Sequence, residues 1–149
     1  MKMDGSPLPP CGAILAAGGT GSRMAATRPK QLLLLAGEPI LVHSCRALLQ
    51  VANLAEIVVV APAAHLEECQ DVCAAFLTQQ QLARLTFTPG GASRQDSVQA
   101  GLTRLSPALS LVLVHDAARP LVTVELLKRC LETAYRHGAA IAAVAVTDT

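Results

Sequence analysis

Apolar residues in this chain fall in short runs of strand length, and the stretches between them repeat apolar positions three and four apart. Gly12–Ala16 reads as a first strand, followed by a glycine-rich loop from Gly18 to Gly21. Pro39–Gln50 has helical spacing, with Pro39 suited to the first turn. Glu56–Val60, β-branched over its last four residues, predicts a second strand. Ala63–Gln80 predicts a helix, and Arg84–Thr88 a third strand. Ser93–Leu105 predicts a helix that Ser93 can cap. Leu111–His115 reads as a fourth strand, and Thr123–His137 as a helix capped by Thr123 and closed by Gly138. Ala139–Val146 predicts a fifth strand, and Leu32–Ala36 is a further apolar run of buried-strand length.

Strands without polar alternation, separated by helices, predict an α/β fold: a parallel sheet covered on both faces, hence a three-layer sandwich. Right-handed crossovers place every carboxyl end on one edge of that sheet, and ligands bind there, near the point where strand order reverses. The composition agrees. A chain of 149 residues, 52% hydrophobic and 15% charged, can bury a real core and is too apolar to be disordered. Its net charge of +1 offers no surface for nucleic acid. No uncharged apolar run approaches the roughly 18 residues of a membrane span. Residues 1–11, with Asp4, Gly5 and three prolines, read as a disordered lead-in, not a targeting peptide, and 12–149 as one domain. A cytoplasmic location is expected. The five cysteines include no CxxC pair. Cys69 and Cys73 share a stripe with Leu66, Val72, Phe76 and Leu77, so they are expected as buried reduced thiols; a metal site would need a second ligand pair.

Candidate chemistry concentrates where strands end. The first strand runs into Ala16-Ala17-Gly18-Gly19-Thr20-Gly21-Ser22-Arg23, with Lys30 seven residues on. The third ends in Pro89-Gly90-Gly91-Ala92-Ser93-Arg94, the fourth in His115-Asp116-Ala117-Ala118-Arg119-Pro120, and the fifth in Thr147-Asp148-Thr149. Glycines at such a turn let backbone N–H groups approach phosphate oxygens, and two cations beside them suit a polyphosphate. The loop lacks the Gly-Lys-Ser/Thr ending of a P-loop, and Met24 stands where a dinucleotide fingerprint has its third glycine. Ala61-Pro62 also supplies no acid for a ribose, which disfavours a dehydrogenase. Asp116 suits Mg²⁺, a ribose hydroxyl or a helix cap; Arg119 suits Asp116 or a second phosphate. His115 reads as a packed, hydrogen-bonded histidine, and Arg94 and Ser97, three apart, can face one ligand.

Taken together, Ala17–Met24, Pro29-Lys30-Gln31, Gly90–Val98 and Val114–Pro120 resemble the motifs of the 2-C-methyl-D-erythritol 4-phosphate cytidylyltransferase family, in order and spacing, with Thr147-Asp148-Thr149 similar to its next motif. The resemblance implies a Rossmann-like, GT-A-like nucleotidyltransferase sheet. It implies transfer of a cytidylyl group from CTP to a sugar-alcohol phosphate, with pyrophosphate released. Ala16, Ala17, Gly18, Gly19, Gly91, Ala92, Ser97 and Asp116 would bind the nucleotide. Arg23 and Lys30 would be catalytic, Arg119 and Thr149 would contact the second substrate, and Mg²⁺ would sit near Asp116. Full-length members are implied to be homodimers through an arm beyond Thr149. This chain is accordingly expected to be a fragment with most of the CTP half-site. Alternatives are a ribitol- or other polyol-phosphate cytidylyltransferase and a non-catalytic CTP-binding fragment.

Overall fold

The computed structural model describes residues 8–18 and 28–145. Four parallel strands form one sheet in the order β5-β4-β1-β6: β1 is Cys11–Ala16, β4 Leu54–Ala61, β5 Leu85–Pro89 and β6 Leu111–Asp116. A small antiparallel hairpin, β2 (Leu34–Leu35) with β3 (Glu38–Pro39), follows the first strand. The helices are α1 (Ile40–Leu49), α2 (Leu66–Phe76), α3 (Gln79–Leu82), α4 (Arg94–Leu102) and α5 (Val124–His137).

Alternate strand residues bury into separate clusters. Ala13, Leu15, Ile57, Val59, Ala61 and Leu113 pack with Leu41, Cys45, Leu48, Cys69, Cys73, Leu127 and Leu131, which places α1, α2 and α5 on one face. Ile14, Val58 and Val60 pack with Leu105, Val98 and Leu109 on the α4 face. The predicted three-layer α/β sandwich is therefore present. Central strands β1 and β4 have core on both sides, and each fully buried Ile, Leu or Val there contributes about 1.5–3 kcal/mol.

Several expectations are corrected. The lead-in is shorter than expected, because Cys11 already belongs to β1, Leu8 packs on the core, and the Pro9 carbonyl accepts from Asn53 Nδ2 at 3.2 Å. Residues 1–7 lie outside the described residues. Pro39 precedes α1 as its N-cap instead of sitting in its first turn. The long helix expected over Ala63–Gln80 breaks into a 3₁₀ turn (Ala63–His65), α2 and α3, because Thr78 and Gln81 build their own capping box. Of the run Leu32–Ala36 only Leu32 is buried, and Leu34 is 65% exposed where the chain turns back as a hairpin. β6 is an edge strand, half covered instead of fully buried: Leu113 faces the helices while Val112 and Val114 stay exposed.

The fifth strand does not form over Ala139–Ala145, and Val146 lies outside the described residues. Among the described residues no strand pairs with the outer edge of β6, and a groove of about 650 Å³, lined by Val112, Val114, Leu126, Cys130 and Ile141, borders that edge. Without a ladder partner the segment has no backbone hydrogen bonds to gain, so Ile141 and Val144 stand about nine-tenths exposed.

Candidate nucleotide site

The chain passes β1, β4 and β5 in one direction, then returns past β1 to lay down β6, so strand order reverses between β1 and β6. Ladder bonds hold the carboxyl ends level: Ala17 N to Val60 O at 2.8 Å, Ala117 N to Ala16 O at 2.9 Å, and Gly90 N to Ala61 O at 2.9 Å. Three loops that the sequence singles out therefore open at one edge. Ala16 and Ala17 are buried and Gly18 exposed, and among the described residues nothing stands within 4 Å of a Cβ placed on Gly18. Gly19, Arg23 and Thr149 lie outside the described residues, as do the rest of the loop through Thr27 and Thr147-Asp148.

Two buried polar side chains clamp the loops from below. Gln31 Nε2 donates to the Ala17 carbonyl at 2.6 Å, and Ser44 Oγ to the Ala117 carbonyl at 2.7 Å. The first ties the 3₁₀ turn Lys30–Leu32, and with it Lys30, to the end of β1; the second ties α1 to the loop after β6. Sequence reasoning gave neither a role. The available signal was a polar residue where burial is expected: Gln31 before four leucines, and Ser44 beside Cys45 on the inward face of α1. Among the described residues no carboxylate pairs with Lys30.

The loop after β5 is shaped by α4. Ser93 caps the helix as expected, in a capping box with Asp96: Ser93 N donates to Asp96 Oδ2 at 3.0 Å, and Asp96 N to Ser93 Oγ at 3.1 Å. A Cβ on Gly90 would stand 2.7 Å from Ser97 Oγ, and one on Gly91 would collide with the Asp96 Cβ, so both glycines are needed for space. Ser97 Oγ donates to the Ser93 carbonyl at 2.9 Å. Ala92 is exposed between Gly91 and the cap.

Asp116 ends β6 opposite Ala16. Its Oδ1 accepts from Arg94 Nη1 at 2.5 Å, and its Oδ2 from Arg119 Nε at 3.1 Å. Burial raises this carboxyl, but the hydrogen bonds and charges of Arg94 and Arg119 outweigh it and hold the group below the ordinary carboxylate range. Arg94 and Ser97 thus turn to different partners, Arg94 to Asp116 and Ser97 to its own helix. His115 Nε2 lies 3.0 Å from the Arg119 carbonyl, the hydrogen-bonded placement expected, although on an edge strand; burial pushes its pKa down. Among the described residues no three His, Cys, Asp or Glu side chains gather to hold a metal, and both Asp116 oxygens are taken by cations. The described side chains thus supply no ligand set that would hold Mg²⁺ by itself. No helix of the described residues is long and apolar enough to cross a membrane.

Comparison with known proteins agrees with the geometry. The bifunctional enzyme IspD/IspF of Desulfotalea psychrophila is 46% identical over 136 residues, 91% of this chain and 34% of that protein. The 2-C-methyl-D-erythritol 4-phosphate cytidylyltransferase of Syntrophus aciditrophicus is 40% identical over 138 residues, 92% of this chain and 58% of that protein. The crystal structure of 4-diphosphocytidyl-2C-methyl-D-erythritol synthase from Anaerococcus prevotii superposes with a TM-score of 0.69 at 25% identity, covering 87% of this chain and 52% of that one. The chain thus spans between about a third and three-fifths of the length of these relatives. With residues 11–149 matching the description 2-C-methyl-D-erythritol 4-phosphate cytidylyltransferase, the chain belongs to that family.

Proposed function

We propose that this chain carries the nucleotide half of an enzyme that transfers a cytidylyl group from CTP to 2-C-methyl-D-erythritol 4-phosphate, releasing pyrophosphate, in isoprenoid synthesis. The observation that supports it most is the convergence of Gly18, Gly91-Ala92 and Asp116–Arg119 at the reversal of strand order, with Lys30 anchored beside them through Gln31. Backbone groups of Ala16–Gly19, Gly91 and Ala92, with Ser97, would receive cytosine and triphosphate; hydrogen bonds to the base edge would reject uracil. The attacking group is an oxygen of the substrate's own phosphate, ionised at neutral pH, so no side chain needs to remove a proton. It forms a bond to the α-phosphorus as the bond to the pyrophosphate oxygen breaks. Lys30 and Arg23 would stabilise the charge that builds on the leaving group, and Arg119 and Thr149 would meet the second substrate. A divalent cation, Mg²⁺ in this reading, would be brought by the triphosphate, because Asp116 has arginine partners of its own, Arg119 among them. The reading further assigns a cytoplasmic enzyme, dimeric at full length, with no nucleic-acid or membrane partner.

Calorimetric titration with CTP, UTP and ATP in Mg²⁺ tests this. Selective CTP binding, weakened about tenfold or more in Lys30→Ala and Arg23→Ala, is expected. Equal affinity for the three nucleotides would overturn the reading.

A further inference from the structure

Arg94 is the first residue of α4, and α4 packs over β1, β4 and β5; Asp116 ends β6, on the far side of β1. Their bridge therefore crosses the end of β1, over the edge where Gly18 opens. Arg94 is 62% exposed, and among the described residues Asp116 is its only hydrogen-bond partner, taking one of its five donors. Asp116 keeps Arg119 on its other oxygen, so losing Arg94 would not strand a bare carboxylate. The three groups together carry a net positive charge.

We infer that Arg94 is a polyphosphate-binding residue held in reserve by Asp116: an incoming diphosphate or triphosphate takes the guanidinium in exchange for the carboxylate, while Arg119 continues to neutralise Asp116. A guanidinium matches phosphate oxygens two at a time, and a polyphosphate outbids one carboxylate in charge. The swing costs little burial because Arg94 lies mostly in solvent. Arg94 thereby joins the site as a nucleotide ligand, and Asp116 sets how readily it is released. The inference rests on the reading of this edge as a nucleotide site.

The test uses inorganic pyrophosphate as probe, by calorimetry at low salt, on the chain and on Asp116→Asn, Arg94→Gln and the double variant, each checked for folding by circular dichroism. Asp116→Asn should bind about three- to fivefold tighter, since an exposed pair holds back no more than that. Arg94→Gln should bind more weakly, and Asp116→Asn should bring no gain in the Arg94→Gln background. Unchanged, weaker or undetectable binding in Asp116→Asn overturns the exchange. An equal gain in both backgrounds does so too, because it reports only the lost negative charge. CTP and UTP on the unmodified chain separate the two ideas: the pyrophosphate pattern without a preference for CTP keeps the exchange and discards the cytidylyl reading.

Discussion

Replacing Gly91 by alanine should destabilise the chain by about 1–2 kcal/mol, although the residue is exposed and its φ lies outside the left-handed region. The cause is space. The new methyl would run into the Asp96 Cβ, with the Asp96 carbonyl carbon and Cγ each at 3.3 Å, so no flexible side-chain end can move aside. Asp96 is the third residue of α4 and half of its capping box, and losing such a cap costs about 1 kcal/mol, with a range near 0.5–2. Residual crowding adds about 1 kcal/mol, at the low end for overpacking because the loop is open to solvent. Against this, alanine restricts the unfolded chain and returns about 0.4–1 kcal/mol. Gly18→Ala makes the same exchange with nothing within 4 Å among the described residues and is the control. Urea unfolding followed by circular dichroism measures both. The expected result is a lower midpoint for Gly91→Ala at unchanged slope, with Gly18→Ala within about 0.5 kcal/mol of the parent chain. Equal stability of the two variants would refute the argument and leave Gly91 glycine for ligand access alone.

The turn residue Ala36 has φ of 52°, a conformation alanine adopts at a cost and asparagine tolerates, so Ala36→Asn should raise stability by about 0.5–1 kcal/mol in the same urea assay; a loss would refute it. His115 is held with its pKa below the ordinary value by burial, so the unfolded chain binds a proton more readily as pH falls from about 6.5. Stability should therefore drop as pH falls through that window, and His115→Gln should flatten the drop; a profile unchanged by the substitution counts against it. Of the five thiols, Cys130 alone is partly exposed, while burial pushes Cys69 up to about 12 and the neighbouring Cys73 thiol and burial raise Cys45. A disulfide reagent should label one thiol quickly at pH 8 and all five only after unfolding; rapid labelling of a second thiol in the folded chain would contradict the packing.

Periodicity made β1, β4, α4 and α5 legible, because each states its environment in its own residues. β1 and β4 are apolar on both faces, and Ser93, Thr123 and Gly138 mark helix ends with local chemistry. The hairpin β2–β3 was not legible, since its turn is Ala36-Gly37 instead of a pair that favours positive φ at both positions. The break after α2 was missed for a related reason: Thr78 and Gln81 form a capping box inside a stretch whose apolar spacing continues through it. At the site, the sequence located the loops by their glycines and cations. It did not reveal that Gln31 and Ser44 would serve as clamps, because each bond depends on a carbonyl 14 and 73 residues away.

Ala139–Ala145 shows why the last element escaped. Apolar sequence expresses a demand for burial, but a strand exists only when another backbone supplies its hydrogen bonds. Among the described residues, β1 obtains them from β4 and β6 on either side, and β5 from β4 alone. Over 139–145 the apolar demand is as strong as in β1, yet Val144 remains exposed, as does Ile141 beside a groove that β6 also borders. The same asymmetry explains the alternation within β6, where Leu113 is buried by helices and Val112 and Val114 are not. Edge and segment are thus two halves of one unmet requirement. The ends of β1, β4 and β5, by contrast, are held level by ladder bonds, and Gln31 ties the turn that carries Lys30 to the end of β1.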